Sequence, residues 1–303
     1  MAIELQLPIG TQVVTLVEAP DQAGRSHVAG SLGRIAALPD QTEKRYRVEL
    51  ADGSSLLLAR HELQIHKQRQ REGLLPSHNA AELAPYIIYR CVVGSRAYGL
   101  DDESSDSDRR GIYLPPARFH WALGGLPEQI EDEQTRDTYW ELQKFLILAL
   151  KANPNALECL STPLVEYATP LAEELLSLRA CFLSRAIYQT YNGYVLSQFK
   201  RLEQDLRTKG AIKLKHAMHL IRLLLAGIHV LREGELLVRV IEQRERLLAI
   251  KHGQMEWEEI NAWRLQLHRE FDQAFTTCQL PERPDFERIN QFLLKARRSM
   301  VDA

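Results

Sequence analysis

A strongly apolar, β-prone run over residues 86–93 restricts the fold more than any other feature of the chain. It is bounded by Pro85 and Gly94, and an apolar run of this length between turn residues predicts a buried strand. A second short strand is predicted at residues 112–114, before Pro115-Pro116. The middle of the chain is therefore expected to form a sheet.

Residues 1–66 have the pattern of several short strands. Residues 12–17 are apolar and β-branched, residues 44–50 place apolar side chains at every second position, and Asp52-Gly53 supplies a tight hairpin turn. Short strands with glycine turns in a segment of this length predict a small β-barrel. The segment resembles SH3-like barrels in a Gly-x-x-Gly-x-Ile stretch, here Gly30, Gly33 and Ile35. A role as a solubilising or docking module is open.

Residues 67–85 are predicted to form a linker, because Gly73, Pro76 and Pro85 follow a basic, glutamine-rich run at residues 67–71. That run is interpreted either as the solvated face of a short helix or as a contact for a nucleic-acid backbone. The formal net charge of the whole chain is −2, so any nucleic-acid contact must come from local basic patches.

The length of 303 residues suits two or three domains, and 45% hydrophobic with 26% charged residues is typical of a soluble globular protein. The cysteines at positions 91, 159, 181 and 278 lack zinc-ligand or redox spacing, so reduced, buried thiols are expected. The first 20 residues lack a secretory pattern, and uninterrupted apolar stretches fall far short of the roughly 20 residues of a membrane span. A cytoplasmic protein without membrane contact is expected.

Beyond residue 180 the apolar pattern becomes almost wholly helical. The signals are two helices ending near Gly210 and Gly234, a third over residues 238–252 and a last one capped by Asp285. Upstream, residues 138–151 are amphipathic and predicted to be a helix. Asn153-Pro154 then predicts the N-cap and first position of another short helix.

The residues that indicate chemistry follow the predicted buried strand. Gly94 has no side chain and lets the backbone approach a ligand closely, and the next residues open a helix whose free N–H groups favour an anion. Further on, Asp106 and Asp108 stand at i and i+2, which on a strand face the same side roughly 6.6 Å apart. Carboxylates so placed can share hard divalent cations, as two-metal phosphoryl chemistry requires.

This order of strand, Gly-Ser, spacer and Asp-x-Asp resembles the active-site signature of the DNA polymerase β-like nucleotidyltransferases. The fuller string is similar to the branch of predicted nucleotidyltransferases associated with RNA-repair pathways: Gly94-Ser95-Arg96-Ala97-Tyr98-Gly99-Leu100, Ser105-Asp106-Ser107-Asp108 and Arg110-Gly111-Ile112. Residues 141–158 and 215–224 also fit, so the resemblance covers about residues 86–300. It implies an α+β protein with a catalytic core of mixed sheet and helices at residues 86–180 and a helical substrate- or nucleotide-binding domain at residues 181–303.

The resemblance implies that Asp106 and Asp108 hold Mg²⁺, or Mn²⁺, while Gly94 and Ser95 position a triphosphate. Arg96 is open between a contact to the triphosphate and a structural ion pair. The superfamily adds a third carboxylate, for which the acidic candidates are Glu128, Glu131, Asp132, Glu133 and Asp137. Asp137 is preferred, because its position before the 138–151 segment suits the end of a strand that faces the metals.

Lys215, His219 and Arg222 are spaced by four and three residues and form one stripe on a predicted helix. They are either the polar border of an amphipathic helix or the groups that neutralise the β- and γ-phosphates of a nucleoside triphosphate. The implied reaction transfers a nucleoside monophosphate to an acceptor hydroxyl, expected on RNA, with release of pyrophosphate. Nucleotidylation of a protein hydroxyl and a non-catalytic nucleotide or RNA sensor are the alternatives.

Overall fold

The computed structural model describes residues 7–39, 45–67, 69, 78–103, 105–132, 135 and 137–301. The chain divides into two compact units, Met1–Ser77 and His78–Ala303. Within the predicted linker, residue 68 and residues 70–77 lie outside the described residues, so only Lys67 and Arg69 of the basic run are described.

The first unit is built from short antiparallel strands. They are β1 (Gln12–Thr15), β2 (Ala19–Pro20), β3 (Ser26–His27), β4 (Leu32–Ala37), β5 (Arg45–Leu50), β6 (Ser55–Ala59) and β7 (Leu63–Ile65). Five of them form one sheet in the order β6-β5-β4-β1-β7, and β2 pairs with β3. Strands β6 and β7 are the sheet edges among the described residues, so the closed SH3-like barrel stays a prediction.

Alternation of apolar side chains builds the core of this unit. Strand β5 buries Tyr46, Val48 and Leu50 and exposes the residues between them. The predicted turn at Asp52-Gly53 joins β5 to β6, and Gly53 has a φ of +83°. Gly33 is required by close packing, because a Cβ atom there would lie 2.5 Å from Val48 Cγ1.

The second unit contains a mixed five-stranded sheet. Its strands are β8 (Ile87–Val93), β9 (Asp108–Tyr113), β10 (Gln129–Glu131), β11 (Thr138–Glu141) and β12 (Val165–Ala168), in the order β10-β11-β9-β8-β12. Strands β9 and β11 run parallel, and the other neighbours are antiparallel. The predicted buried strand at residues 86–93 is therefore confirmed as β8, next to the centre of the sheet.

Helices cover this sheet and extend beyond it. The first six are α1 (Ala80–Leu83), α2 (Gly94–Tyr98), α3 (Ala117–Trp121), α4 (Leu142–Leu150), α5 (Pro154–Ser161) and α6 (Pro170–Ser177). The later ones are α7 (Ala186–Lys209), α8 (Leu214–Glu233), α9 (Arg244–Lys251), α10 (Trp257–Thr277) and α11 (Phe286–Arg298). The mixed α+β class predicted from the sequence is confirmed.

Several helix boundaries follow from capping residues. Asn153 Oδ1 accepts hydrogen bonds from the backbone N–H groups of Asn155 (3.0 Å) and Ala156 (3.3 Å), with proline at the first helical position. Gly210 and Gly234 end α7 and α8 in the left-handed region, with φ of +66° and +75°. These predicted boundaries are confirmed.

Two predicted helices are shorter than expected. The prediction of helix from residue 138 is wrong for its first four residues, which form β11 and pair with β9. The helix predicted over residues 238–252 begins only at Arg244. Local amphipathic pattern cannot report a strand whose hydrogen-bond partner lies elsewhere in the chain.

Among the described residues of the second unit, the larger hydrophobic cluster joins sheet and helices from Ile88 to Ala296, and a smaller one contains Leu83, Tyr113, Ile130 and Tyr139. The domain boundary predicted at residue 180 has no counterpart in the division into compact units, and it stays a prediction. Helix α8 lies inside this core. Among the described residues it alone has the length and hydropathy of a membrane span, and 67% of its apolar window is buried, as in a core helix.

Candidate active site

The geometry of the site begins where strand β8 ends. Val93 is paired with Asp108 on the antiparallel strand β9. The next residue, Gly94, has a φ of +72°, and a Cβ atom added to it would lie 2.7 Å from Asp108 Oδ2. Only glycine therefore fits at this position while the Asp108 carboxylate stays in place.

Hydrogen bonds and an ion pair hold the loop that leads to the two aspartates. Arg96 Nη2 donates a hydrogen bond to the Ser105 carbonyl oxygen (3.0 Å), and Ser105 Oγ donates to Asp102 Oδ1 (3.0 Å). Asp102 in turn forms an ion pair with Lys251 Nζ (2.7 Å). Arg96 thus holds the loop just before Asp106 through a backbone carbonyl, and its contact to a triphosphate stays a prediction.

A cavity of about 360 Å³ lies beside Gly94 and Asp108. The ends of β8 and β9 supply Val93, Gly94, Asp108 and Arg110 to its wall, and helix α5 with the residue before it supplies Asn153, Pro154, Asn155 and Glu158. The remaining wall comes from Tyr98, from Tyr194 on α7, and from five residues on α8, which are His216, His219, Leu220, Arg222 and Leu223. Its size is that of a small-molecule site.

Arg222 is held in this wall by a buried network. Its Nη2 atom lies 2.6 Å from Glu158 Oε1, and its guanidinium lies 3.6 Å from the ring centroid of Tyr98. The Tyr98 hydroxyl donates to Glu158 Oε2 (2.6 Å). Arg222 Nε and Nη1 are buried and have no hydrogen-bond partner among the described residues. A fixed guanidinium with N–H groups to spare can take an anionic ligand.

The two cavity histidines differ in character from Arg222. Burial, followed by the nearby charges of Arg222 and Lys215, lowers the pKa of His219 to about 3. Burial and then the charge of Lys213 lower the pKa of His216. Both imidazoles are therefore mainly neutral near pH 7, which favours the polar-border alternative for His219, and its role in neutralising phosphate stays a prediction.

The structure brings four of the nine predicted site residues to the cavity: Gly94, Asp108, His219 and Arg222. The other five are Ser95, Arg96, Asp106, Asp137 and Lys215, which do not line it. Ser95 is buried in α2, while Asp106 and Lys215 are exposed. Asp106 lies outside strand β9, two residues from Asp108, so the same-face argument from strand geometry applies only to Asp108 and Arg110.

The preferred third carboxylate, Asp137, immediately precedes the neighbouring strand β11 and lies on the face opposite to Asp108. The Tyr139 hydroxyl donates to Asp137 Oδ2 (3.3 Å), and the Tyr139 ring lies where a Cβ atom on Gly111 would be, 2.8 Å away. Gly111 and Asp108 point to opposite faces of β9 because they are an odd number of residues apart. Asp137 Oδ1 is buried without a partner among the described residues.

Another acidic candidate lies on the face of Asp108. Glu131 is paired with Thr138, and Thr138 is paired with Arg110, so register places Glu131 on that face, two strands from β9. Glu133 lies outside the described residues. Within the described part of the chain, no three His, Cys, Asp or Glu side chains converge to hold a metal.

Sequence reasoning did not assign the cavity residues Arg110, Asn155, Glu158 and Tyr194. The Asn-Pro turn was visible as a helix start, but its position at the site depends on how α5 packs. Glu158 carried a usable signal, because an acidic residue inside an apolar helix, buried to 3% exposure, requires a partner. Tyr194 carried none beyond helical periodicity.

The strand that ends before Gly94, the acidic residue on its antiparallel neighbour and the parallel strand beyond have the arrangement expected from the resemblance to the polymerase β-like class. Residues 64–295 match the family model described as RlaP, the RNA repair pathway DNA polymerase beta family. The chain belongs to this family.

A curated relative is similar to about half of the chain. The uncharacterized protein YcgL of Bacillus subtilis (strain 168) is 32% identical over 154 residues. The match covers 49% of this chain, and the chain spans 57% of the relative's length.

Proposed function

We propose that the protein is a metal-dependent nucleotidyltransferase, which transfers a nucleoside monophosphate from a nucleoside triphosphate to an acceptor hydroxyl and releases pyrophosphate. The observation that carries this proposal is the Asp108 carboxylate, which lies against Gly94 in a cavity that also contains Arg222. Membership of the polymerase beta family supports the reaction class. A cytoplasmic location is part of the proposal.

Asp106 and Asp108 are the residues that would hold Mg²⁺, or Mn²⁺, because both are accessible carboxylates and these ions prefer oxygen ligands. Asp137 is the candidate for a third ligand, because its buried Oδ1 atom has no partner within the described part of the chain, and it would have to turn toward the face of Asp108. When bound, such ions lower the pKa of an attacking hydroxyl and neutralise a departing pyrophosphate.

The chain's own residues would orient the nucleotide. Gly94 and Ser95 begin helix α2, and because Gly94 has no side chain, a triphosphate can come close to Asp108 there. Arg222 has two buried nitrogens, Nε and Nη1, that lack a partner among the residues described, and Glu158 fixes the direction of its guanidinium. Lys215, exposed and next to His216 of the cavity, is placed to add positive charge outside it.

RNA is the proposed acceptor. The family description names an RNA repair pathway, and the exposed Lys67 and Arg69 belong to a basic run that suits a phosphate backbone. The first unit, as an SH3-like module, would serve as a docking domain for this substrate. Transfer to a protein hydroxyl is the alternative that the labelling experiment below distinguishes.

The experiment incubates the protein with each α-labelled nucleoside triphosphate, Mg²⁺ or Mn²⁺, total RNA and total protein. We expect label in the RNA fraction, and Asp108→Asn or Asp106→Asn should reduce it to about 1% or less. Loss of a group that only orients a metal ligand already lowers metal affinity or activity by roughly 10–100-fold, and loss of a ligand itself should lower activity at least as much. Asp101→Asn, an exposed acid of the same loop, is the matched control. Full activity in the Asp108 variant would remove the proposed mechanism.

One observation favours a second function, that of a non-catalytic nucleotide sensor. Asp106 and Asp137 do not join Asp108 at the cavity, and the described residues contain no cluster of three metal-binding side chains. A protein that binds triphosphate with Mg²⁺ but labels neither RNA nor protein would have this function.

A further inference from the structure

The part of the cavity formed by helices differs chemically from the part around Asp108. Leu220 and Leu223 on α8 are buried and apolar, and His216 and Asn155 add uncharged polar groups. The pKa of His216 is lowered by burial, so its imidazole presents a neutral ring. A wall of this composition suits a flat, uncharged heterocycle better than it suits phosphate.

Tyr194 supplies an aromatic face at this wall. It lines the cavity from α7, and its side chain is 45% exposed. Its hydroxyl forms no hydrogen bond and its ring has no stacking partner among the described residues. An aromatic ring left open beside a cavity is the surface on which a base stacks, because every base has a π face.

The orientation of a bound nucleotide follows from the charges. Asp108 and Gly94 mark one part of the cavity, and Tyr194, Asn155 and His216 lie on other secondary-structure elements that complete it. Neutral groups there offer hydrogen bonds to the edge of a base but no attraction for an anion. The phosphates therefore belong near Asp108 and Arg222, and the uncharged end belongs against Tyr194, Asn155 and His216.

We propose that the helical wall of the cavity, formed by Tyr194, His216 and Asn155, is the nucleobase site, with the base stacked on the Tyr194 ring. This inference rests on the proposed function, and it leaves Lys215, which does not line the cavity, in the role proposed above. His216 and Asn155 face the base edge, so they determine which of the four nucleotides binds best.

The test measures equilibrium binding of ATP, GTP, CTP and UTP with Mg²⁺ by titration calorimetry, and of inorganic tripolyphosphate as the base-free probe. Tyr194→Ala should lower the affinity for the tightest-binding nucleotide by about tenfold or more, as expected for the loss of one stacked base. Tyr194→Phe should preserve that affinity. Leu196→Ala is the matched control, since Leu196 is 47% exposed on the same helix and does not line the cavity.

The base-free probe separates the two ends of the site. Tripolyphosphate affinity should be the same in wild type and Tyr194→Ala, and Asn155→Ala should change the order of the four nucleotides. Equal weakening of tripolyphosphate and nucleotide by Tyr194→Ala would overturn the base assignment, and so would nucleotide binding that Tyr194→Ala leaves unchanged. Wild-type protein that binds none of the five ligands would instead refute the proposed function itself.

Discussion

At the scale of single residues, one buried charge pair shapes the cavity. Arg222 is 5% exposed and Glu158 is 3% exposed. Burial opposes the charge of Arg222, but Glu158 and Tyr98 outweigh that effect, so the pKa of Arg222 is raised above its usual value. Arg222 therefore stays charged inside the protein, and its charge depends on Glu158 for compensation.

Removing one partner should cost much stability. Glu158→Ala leaves a buried guanidinium without its carboxylate, so we expect the free energy of unfolding to fall by about 3–5 kcal/mol. Urea unfolding followed by circular dichroism measures it. Asp205→Ala is the control, because it breaks an exposed ion pair with Lys209 (2.6 Å) and should change little. Equal losses in the two variants would show that the Glu158–Arg222 pair is not a buried compensating pair.

At the scale of elements, the sequence predicted those whose signals are local. Strand β8 and the ends of α7 and α8 were recognisable because an apolar run, glycine caps and prolines lie within the elements themselves. Strand β11 was missed because its strand character depends on pairing with β9. The start of β9 was missed because Asp108, Arg109 and Arg110 give no apolar signal.

The position of the third carboxylate is a question of strand placement. Asp137 immediately precedes β11, the direct neighbour of β9, whereas Glu131 on β10 lies one strand further away, or about 9.6 Å from β9. Ions about 3.5–4 Å apart need ligands close together, which favours Asp137, provided that its carboxylate leaves Tyr139 and turns at the start of β11 toward the face of Asp108.

We therefore expect Asp137→Asn to abolish nucleotide labelling and Glu131→Gln to leave most of it. Initial rates with Mg²⁺ measure both, and circular dichroism checks that the folds are intact. The opposite result, with Glu131→Gln inactive and Asp137→Asn active, would assign the third position to the face that register gives to Glu131.

At the scale of the whole molecule, the site joins residues far apart in sequence. Gly94 and Glu158 meet Tyr194 and Arg222 in one cavity, although they come from four different helices or strand ends. The sequence predicted Gly94 and Asp108 because they belong to one local motif. It could not place Tyr194, because helical periodicity does not say which neighbour a helix packs against.

The division into two compact units predicts independent folding. The core of Met1–Ser77 and that of His78–Ala303 share no residue. A shortened chain of residues 78–303 should therefore keep its cooperative thermal transition and its affinity for triphosphate, because every described cavity residue lies within it. RNA affinity should fall, since the run at residues 67–71 carries three cations that are lost with the first unit.

Salt dependence separates this electrostatic loss from general damage. Each lost phosphate contact should reduce the slope of log affinity against log salt by about 0.7 for single-stranded RNA. Replacing Lys67, Arg69 and Arg71 with alanine in the full chain should reproduce the change in slope without altering triphosphate affinity. If the slope of log RNA affinity against log salt stays the same in both proteins, the RNA contacts lie within residues 78–303. Loss of the thermal transition in the shortened chain would show that its fold depends on the first unit.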